Sequence, residues 1–367
     1  MRGRTIVDGT HRAGRGIAAM VLLLPWASVA LAGSEERKAT DGATELGIPV
    51  GPRGVALGAS IAGEAGGVEA IYWNPAGLAT LEGTEAMFNH TRYFADMKLN
   101  YLAVGTRWGS IGEFGFTAKV LSVGDIIETT EDAPEGTGKI FSPTFAVLGA
   151  TYARTFTDRV RFGATANFVS ERILDAAARG LAFDFGVQYT TDWRGLRFGL
   201  VMKNFGSGMQ FTGTGFQLSF HRPDADPTAT NRTFLTSSTA FDLPSYFTLA
   251  GSANAYSSAT QRLTLLSAFQ SNNFVGDNFC GGIEWSMRDA FALRGSWFGA
   301  LRGATDPLTG VQTGGFRTGD DLYTGYALGA GAHVHAGGSQ LSVDVAWRPV
   351  RDAAFSDIVD FGLKVRF

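Results

Sequence analysis

The feature that most constrains this chain is a two-residue period that recurs over segments of about ten residues. Val160, Phe162, Ala164, Ala166 and Phe168 alternate with Arg161, Gly163, Thr165 and Asn167. Leu181, Phe183, Phe185, Val187 and Tyr189 alternate with Ala182, Asp184, Gly186, Gln188 and Thr190. Leu341, Val343, Val345 and Trp347 alternate with Ser342, Asp344, Ala346 and Arg348. Successive side chains of a strand point to opposite faces, so each segment is a strand with one apolar and one polar face. Strands of soluble sheets average about 5–6 residues, whereas a tilted strand crossing a bilayer needs about 9–11. The pattern predicts an all-β membrane protein, a transmembrane β-barrel.

About 14 such segments are expected, beginning near Thr84, Lys98, Ile111, Thr144, Arg159, Leu181, Gly195, Ser245, Gln261, Asp277, Ala290, Tyr323, Ser339 and Ile358. An even number returns both ends of the sheet to one side of the membrane. Their connections sort by length. Short turns fall at Gly109-Ser110, Thr157-Asp158 and residues 191–194, 257–260, 287–289 and 336–338. Longer connections fall at residues 124–143, 172–180, 205–244, 271–276, 300–322 and 349–357, with only the first, around Ala95-Asp96, short. Bacterial barrels keep short turns in the periplasm and long loops outside. That places both termini in the periplasm. The last strand carries Phe361, Leu363, Val365 and Phe367 at alternate positions and stops on the aromatic. This looks like the terminal-strand signal read by the barrel-assembly machinery.

The N-terminus reads as an export signal. Arg2, Arg4, Arg12 and Arg15 precede an apolar run from Ile17 to Ala32 that closes on Ala30-Leu31-Ala32. A signal peptide over residues 1–32 is expected, cut after Ala32. An anchoring helix is the other reading, opposed by the short run and Pro25. Beyond Ala32 no stretch approaches the ~18 apolar residues of a spanning helix. Residues 33–83 are Gly- and Ala-rich and do not alternate, so they are expected to fold as a plug inside a barrel of residues 84–367.

Composition agrees with a membrane barrel. Charged residues are 18%, against about 25% for soluble domains. The net charge of −3 suggests no nucleic-acid partner. Cys280 is the single cysteine, so the fold does not rely on disulfides. Asp184, Arg197, Lys203, Glu284, Arg294, Asp344, Arg348, Lys364 and Arg366 fall on the polar face, which implies a hydrated, ion-paired lumen. Trp108, Trp193, Trp285, Trp297 and Trp347 stand near strand ends, as an interfacial girdle would.

Within the plug segment runs Ala70-Ile71-Tyr72-Trp73-Asn74-Pro75-Ala76-Gly77-Leu78-Ala79, preceded by Gly58, Gly63 and Gly66-Gly67. This run resembles the hallmark of the PorV/PorQ family, itself related to the FadL-type long-chain fatty acid transporters. The resemblance implies a 14-stranded barrel with an N-terminal hatch and either of two roles. PorV-like members serve type IX protein secretion, passing sorting-domain substrates from a secretion translocon to the surface. FadL-like members admit hydrophobic small molecules through the plug and a lateral opening. The Tyr72-Trp73 form of the motif leans toward the first role. Tyr72, Trp73, Asn74, Pro75, Ala76, Gly77 and Leu78 are then a gate, or a rigid latch between plug and wall. Asn74 suits a helix cap and Pro75 a first helical turn, which favours the latch. Outer-membrane lipid is the expected surrounding, and a hydrophobic ligand the expected guest of the second role.

No enzyme motif is visible: there is no G-x-S-x-G, no G-x-G-x-x-G and no P-loop. His333 and His335 share one strand face, but no third candidate ligand lies near them in sequence. The expectation is a non-enzymatic protein with no cofactor and no metal.

Overall fold

The computed structural model describes residues 40–220, 232–302, 315–320 and 322–367, so the expected signal peptide lies outside the described residues. Fourteen strands form one antiparallel meander: β1 (Thr84–Arg92), β2 (Lys98–Trp108), β3 (Gly112–Ser122), β4 (Thr144–Thr157), β5 (Val160–Ile173), β6 (Ala176–Thr190) and β7 (Arg197–Gly206). They continue as β8 (Tyr246–Ser257), β9 (Gln261–Asn272), β10 (Asn278–Met287), β11 (Phe291–Arg302), β12 (Tyr326–Ala336), β13 (Ser339–Arg348) and β14 (Ile358–Arg366). Each strand pairs with its neighbour in sequence. The last pairs with the first, from Glu85 opposite Arg366 to Arg92 opposite Val359, and the sheet closes without an edge. No helix among the described residues is long and apolar enough to cross a membrane. The strands do the crossing, as the only alternative that pairs every backbone group within hydrocarbon.

Alternation decides which side chains meet lipid. Phe116, Leu148, Leu293, Leu328 and Val343 point outward and are each more than half exposed. On β14, Phe361, Leu363 and Phe367 face outward too, while Asp360 is buried in the lumen. Trp108 and Trp193 stand exposed at the mouth formed by the short turns, and Trp347 near the opposite mouth, where the longer loops lie.

One connection differs from its expectation. Residues 172–180 were expected as a loop, with a strand starting near Leu181. Instead β5 and β6 run on and meet at Leu174-Asp175, with Leu174 in the left-handed region at φ 51. The alternation is hidden there because the inward residues of early β6 are small. Ala178 packs in a cluster with Leu46 and Met209, and Met209 lies where a Cβ on Gly180 would stand. Similarly, β12 begins at Tyr326, because Tyr323 bridges to Val350 in the neighbouring loop.

The lumen holds residues 41–83. They form 3-10 turns at Thr44–Gly47, Gly58–Gly63, Gly67–Glu69 and Pro75–Thr80, and two short helices, α1 (Pro52–Leu57) and α2 (Ala70–Trp73). The segment begins at the loop mouth, where Gly42 N donates to Asp242 O at 3.1 Å. It ends at the turn mouth, where Phe367 lies over Gly83 and donates to Thr84 O at 2.9 Å. The expected periplasmic N-terminus itself lies outside the described residues, but Thr40 and Phe367 sit at opposite mouths.

Small inward residues make room for this segment. Among the described residues, lumen glycines on eight strands have plug atoms where a Cβ would stand. Gly105 and Gly115 meet Leu78, Gly163 meets Pro75 and Ala76, Gly186 meets Asn74, and Gly199 meets Ala62. Gly282 meets Ser60 at 2.6 Å, Gly329 meets Ala56 at 2.6 Å and Gly362 meets Pro52 at 2.6 Å. A Cβ contact under 3 Å forces something to shift. The belt of glycines is thus a seat cut to the plug's backbone.

The outward assignment has a direct test. Val343→Arg, on the lipid face of β13, should destabilise the folded barrel by about 2–4 kcal/mol if the position lies near the midplane. Val343→Leu should be close to neutral. Urea titration of folding into phospholipid vesicles measures both.

Candidate functional site: the plug seat and the chambers it separates

The 70–79 run forms the centre of the plug. Asn74 is fully buried and works on both sides of the seam between plug and wall. Its Oδ1 accepts from Ala76 N at 3.2 Å, capping the Pro75–Thr80 turn that Pro75 opens. Its Nδ2 donates to Ala62 O at 2.8 Å within the plug and to Val187 O at 3.2 Å on β6. Beside it, Gln188 of β6 donates to Ala65 O at 2.8 Å. The wall therefore ties down the plug's backbone carbonyls, which would otherwise be buried without donors.

The neighbouring motif residues have separate tasks. Trp73 donates from Nε1 to Val50 O at 2.9 Å and lies over Gly54, where a side chain would overlap the indole. Tyr72 packs edge-on against Trp73 with ring centroids 5.1 Å apart. Lys203 of β7 donates to Tyr72 O at 2.6 Å and sits 3.7 Å from the centre of the Tyr72 ring. Lys203 also stands 3.8 Å from Asp184. Ala76 rests on Gly163, Gly77 leaves room for Ala65 O, and Leu78 fills the space before Gly105 and Gly115. These contacts hold the plug by packing, hydrogen bonds and a cation over an aromatic ring.

At this level the lumen charges are ion-paired, as expected, but shut from bulk solvent rather than open to it. Asp184 is 2% exposed and Lys203 is 4% exposed. Asp184 also accepts from Asn167 Nδ2 at 3.0 Å and Asn204 N at 2.8 Å. The pairing of β6 with β7 shifts register here, between Phe183 and Phe185, and Asn204 takes φ 57. A second network ties α1 to the far wall: Arg53 forks onto Glu284 at 2.8 and 3.0 Å, and Arg294 reaches Glu284 at 2.7 Å and Asp344. Sequence reasoning found the lumen charges but not Arg53, the plug residue that most of this network turns on.

The plug separates two chambers. Toward the loop mouth lies a cavity of about 370 Å³. Its walls include Tyr93, Tyr246, Phe274, Phe298 and Tyr323, and its floor includes Val55, Gly58, Tyr72 and Trp73. The guanidinium of Arg348 lies 3.4 Å from the centre of the Tyr323 ring. Toward the turn mouth lies a second chamber of about 390 Å³, lined mainly by charged and polar side chains, including Arg53, Glu284, Arg294, His333 and Lys364. The strands show the boundary residue by residue. On β10, Cys280 lines the upper cavity, Gly282 touches the plug and Glu284 lines the lower chamber. His333 and His335 both line the lower chamber. No group of three or more His, Cys, Asp and Glu placed to hold a metal is found among the described residues.

The first plug turn carries an unusual carboxyl. Glu45 is 1% exposed, and neither of its carboxyl oxygens has a hydrogen-bond partner. Burial, then the Glu171 carboxylate, pushes Glu45 well above the usual carboxylate range.

No protein-family model and no curated protein matches the chain. Among solved structures, the Pseudomonas putida toluene transporter TodX is similar over 89% of this chain and 98% of its own, with 12% identity and a TM-score of 0.52. A Pseudomonas aeruginosa FadL homologue matches over 86% of this chain and 97% of its own, with 12% identity and a TM-score of 0.49. At such identity the likeness to TodX is one of fold, a closed β-barrel.

Two outcomes follow from the seat. Asn74→Ala removes the cap and the bond to Val187 O, and leaves Ala62 O with only the 3.3 Å bond from Gln188, at a cost of about 2–4 kcal/mol. The urea midpoint should fall and the Ala76 amide should exchange faster, while the barrel strands keep their protection. The Glu45 effect depends on pH. An acid that the folded state keeps protonated costs nothing below its ordinary pKa of 4.5 and costs progressively more above it. Protection factors of amides in residues 43–48 should therefore decline as pH rises from there, and Glu45→Gln should flatten the decline.

Proposed function

We propose that this chain is an outer-membrane channel for hydrophobic small molecules, and not an enzyme. The observation that carries the reading is the aromatic-walled cavity of about 370 Å³ that stops on the plug. A channel that only passed water and ions would need no such dead end, whereas a carrier of sparingly soluble molecules needs an apolar site to draw them from the surface. The apolar outer belt supports a membrane location, and the FadL-like fold, shared with a toluene transporter, favours the uptake role. Passage then requires part of the plug to shift. The ties of Asn74 to Val187 and of Lys203 to Tyr72 make the central run a latch at rest and the place where movement would begin. The protein-secretion role implied by the PorV/PorQ resemblance rests on that resemblance alone. In this reading the short turns face the periplasm, and Phe361, Leu363, Val365 and Phe367 serve the barrel-assembly machinery.

Ala327, inward on β12, lines the cavity and can be enlarged without touching the plug latch. Purified protein in detergent should bind the hydrophobic dye N-phenylnaphthylamine saturably. Ala327→Trp should weaken that binding by about tenfold or more, since an indole occupies much of the space that binding uses. Equal affinity in the two proteins would place the ligand elsewhere, and no saturable binding of toluene or the dye would remove the uptake reading.

A further inference from the structure

The lower chamber takes no part in holding a hydrophobic molecule, and its chemistry points to a different guest. We propose that it binds an oxyanion of the phosphate class on a grid of donor side chains carried by β12, β13 and β14. Across these strands His333 is in register with Ser342, and Ser342 with Lys364. One step nearer the turn mouth, His335 is in register with Gln340, and Gln340 with Arg366. Positions two apart on a strand share a face, so both rows point into the lumen. All six side chains line the chamber of about 390 Å³.

The remaining ion pairs show why this grid is left to accept a ligand. Glu284 is shared by Arg53 and Arg294, and Arg294 also holds Asp344. Arg366 donates to Glu85 at 2.6 Å, and Arg262 stands 4.0 Å from Asp289. Lys364 is left without a carboxylate within ion-pair distance among the described residues, and Nδ1 of His333 is shut from solvent without a hydrogen-bond partner. Charged side chains lining the chamber are Arg53, Arg262, Arg294, Lys364 and Arg366 against Glu85, Glu284 and Asp289, five cations to three carboxylates.

The sign of the field selects the ligand. Arg53, Arg294 and Lys364 line the chamber beside His333, with Glu284 and Asp344 engaged by the two arginines. A metal ion held by His333 and His335 would meet that positive surplus and lack a third ligand. An oxyanion would gain charge-assisted hydrogen bonds from Lys364, with Ser342, Gln340 and the imidazoles as further donors. That is more donors than one carboxylate accepts well, and it suits a tetrahedral anion. The same grid would receive free phosphate or the phosphate headgroup of a lipid reaching the turn mouth.

The test uses the full mature chain folded in phosphate-free detergent. Inorganic phosphate and dihexanoyl phosphatidic acid are titrated separately by calorimetry. Saturable binding is expected, weakened about tenfold by Lys364→Gln and more modestly by His333→Gln. Tighter binding of the lipid assigns the headgroup, and equal affinity assigns the free anion; either upholds the site. Heat-modifiable gel mobility verifies folding, and His333→Gln carries the test should Lys364→Gln not fold. No saturable binding of either probe overturns the proposal. So does affinity unchanged in a folded Lys364→Gln or His333→Gln protein, or Zn²⁺ binding in place of phosphate.

Discussion

In hydrocarbon, a strand's amide and carbonyl groups have no partner except another strand, and the architecture follows from that constraint. The pairing of β1 with β14 is where it is met, since a meander of fourteen strands without it would leave two rows of bare backbone in lipid. Closure in turn creates a lumen, and a lumen of this width has to be filled by water or by protein. Here residues 41–83 fill it, and the need to satisfy their backbone reaches back into the wall. Gln188, Lys203 and Lys119 are barrel side chains that spend their donors on plug carbonyls, at Ala65, Tyr72 and Ile48.

The wall answers the plug in two ways that exclude one another position by position. Where the backbone of the plug runs close, the wall has glycine, as at Gly163 and Gly199. Where it stands off, the wall has a long polar side chain, as at Glu284 and Arg294, which bridges the gap through Arg53. The first mode gives shape and the second gives charge, so the lower chamber inherits a field while the upper one inherits aromatic walls.

Much of this was legible in the sequence, for physical reasons. Alternation and turn chemistry are local, so thirteen of the fourteen strands begin within about three residues of where the pattern starts them. The Asn74-Pro75 pair announced a capped turn, and Asn74 makes one. The exception, β6, begins among Ala176, Ala177 and Ala178, whose methyl groups carry no contrast between faces. What could not be read was long-range. The count of 49 glycines was plain, but that eight of them seat a plug depends on partners such as Pro52 and Gly362, 310 residues apart. Lys203 and Asp184 read as exposed to the lumen because charged residues usually are, and they are buried because Tyr72 and Asn204 close over them. Arg53 pairs with Glu284 across 231 residues and carries no local signature at all.

The path of the plug has a consequence in parity. Fourteen strands alone bring a chain back to the side it started from. The plug adds one more traverse, from Asp242 at the loop mouth to Gly83 at the turn mouth, and fourteen plus one is fifteen. An odd number of traverses puts the two ends of the described chain at opposite mouths of the barrel. The polypeptide thus threads its own pore, entering beside Asp242 at one mouth and closing its last strand beside Gly83 at the other.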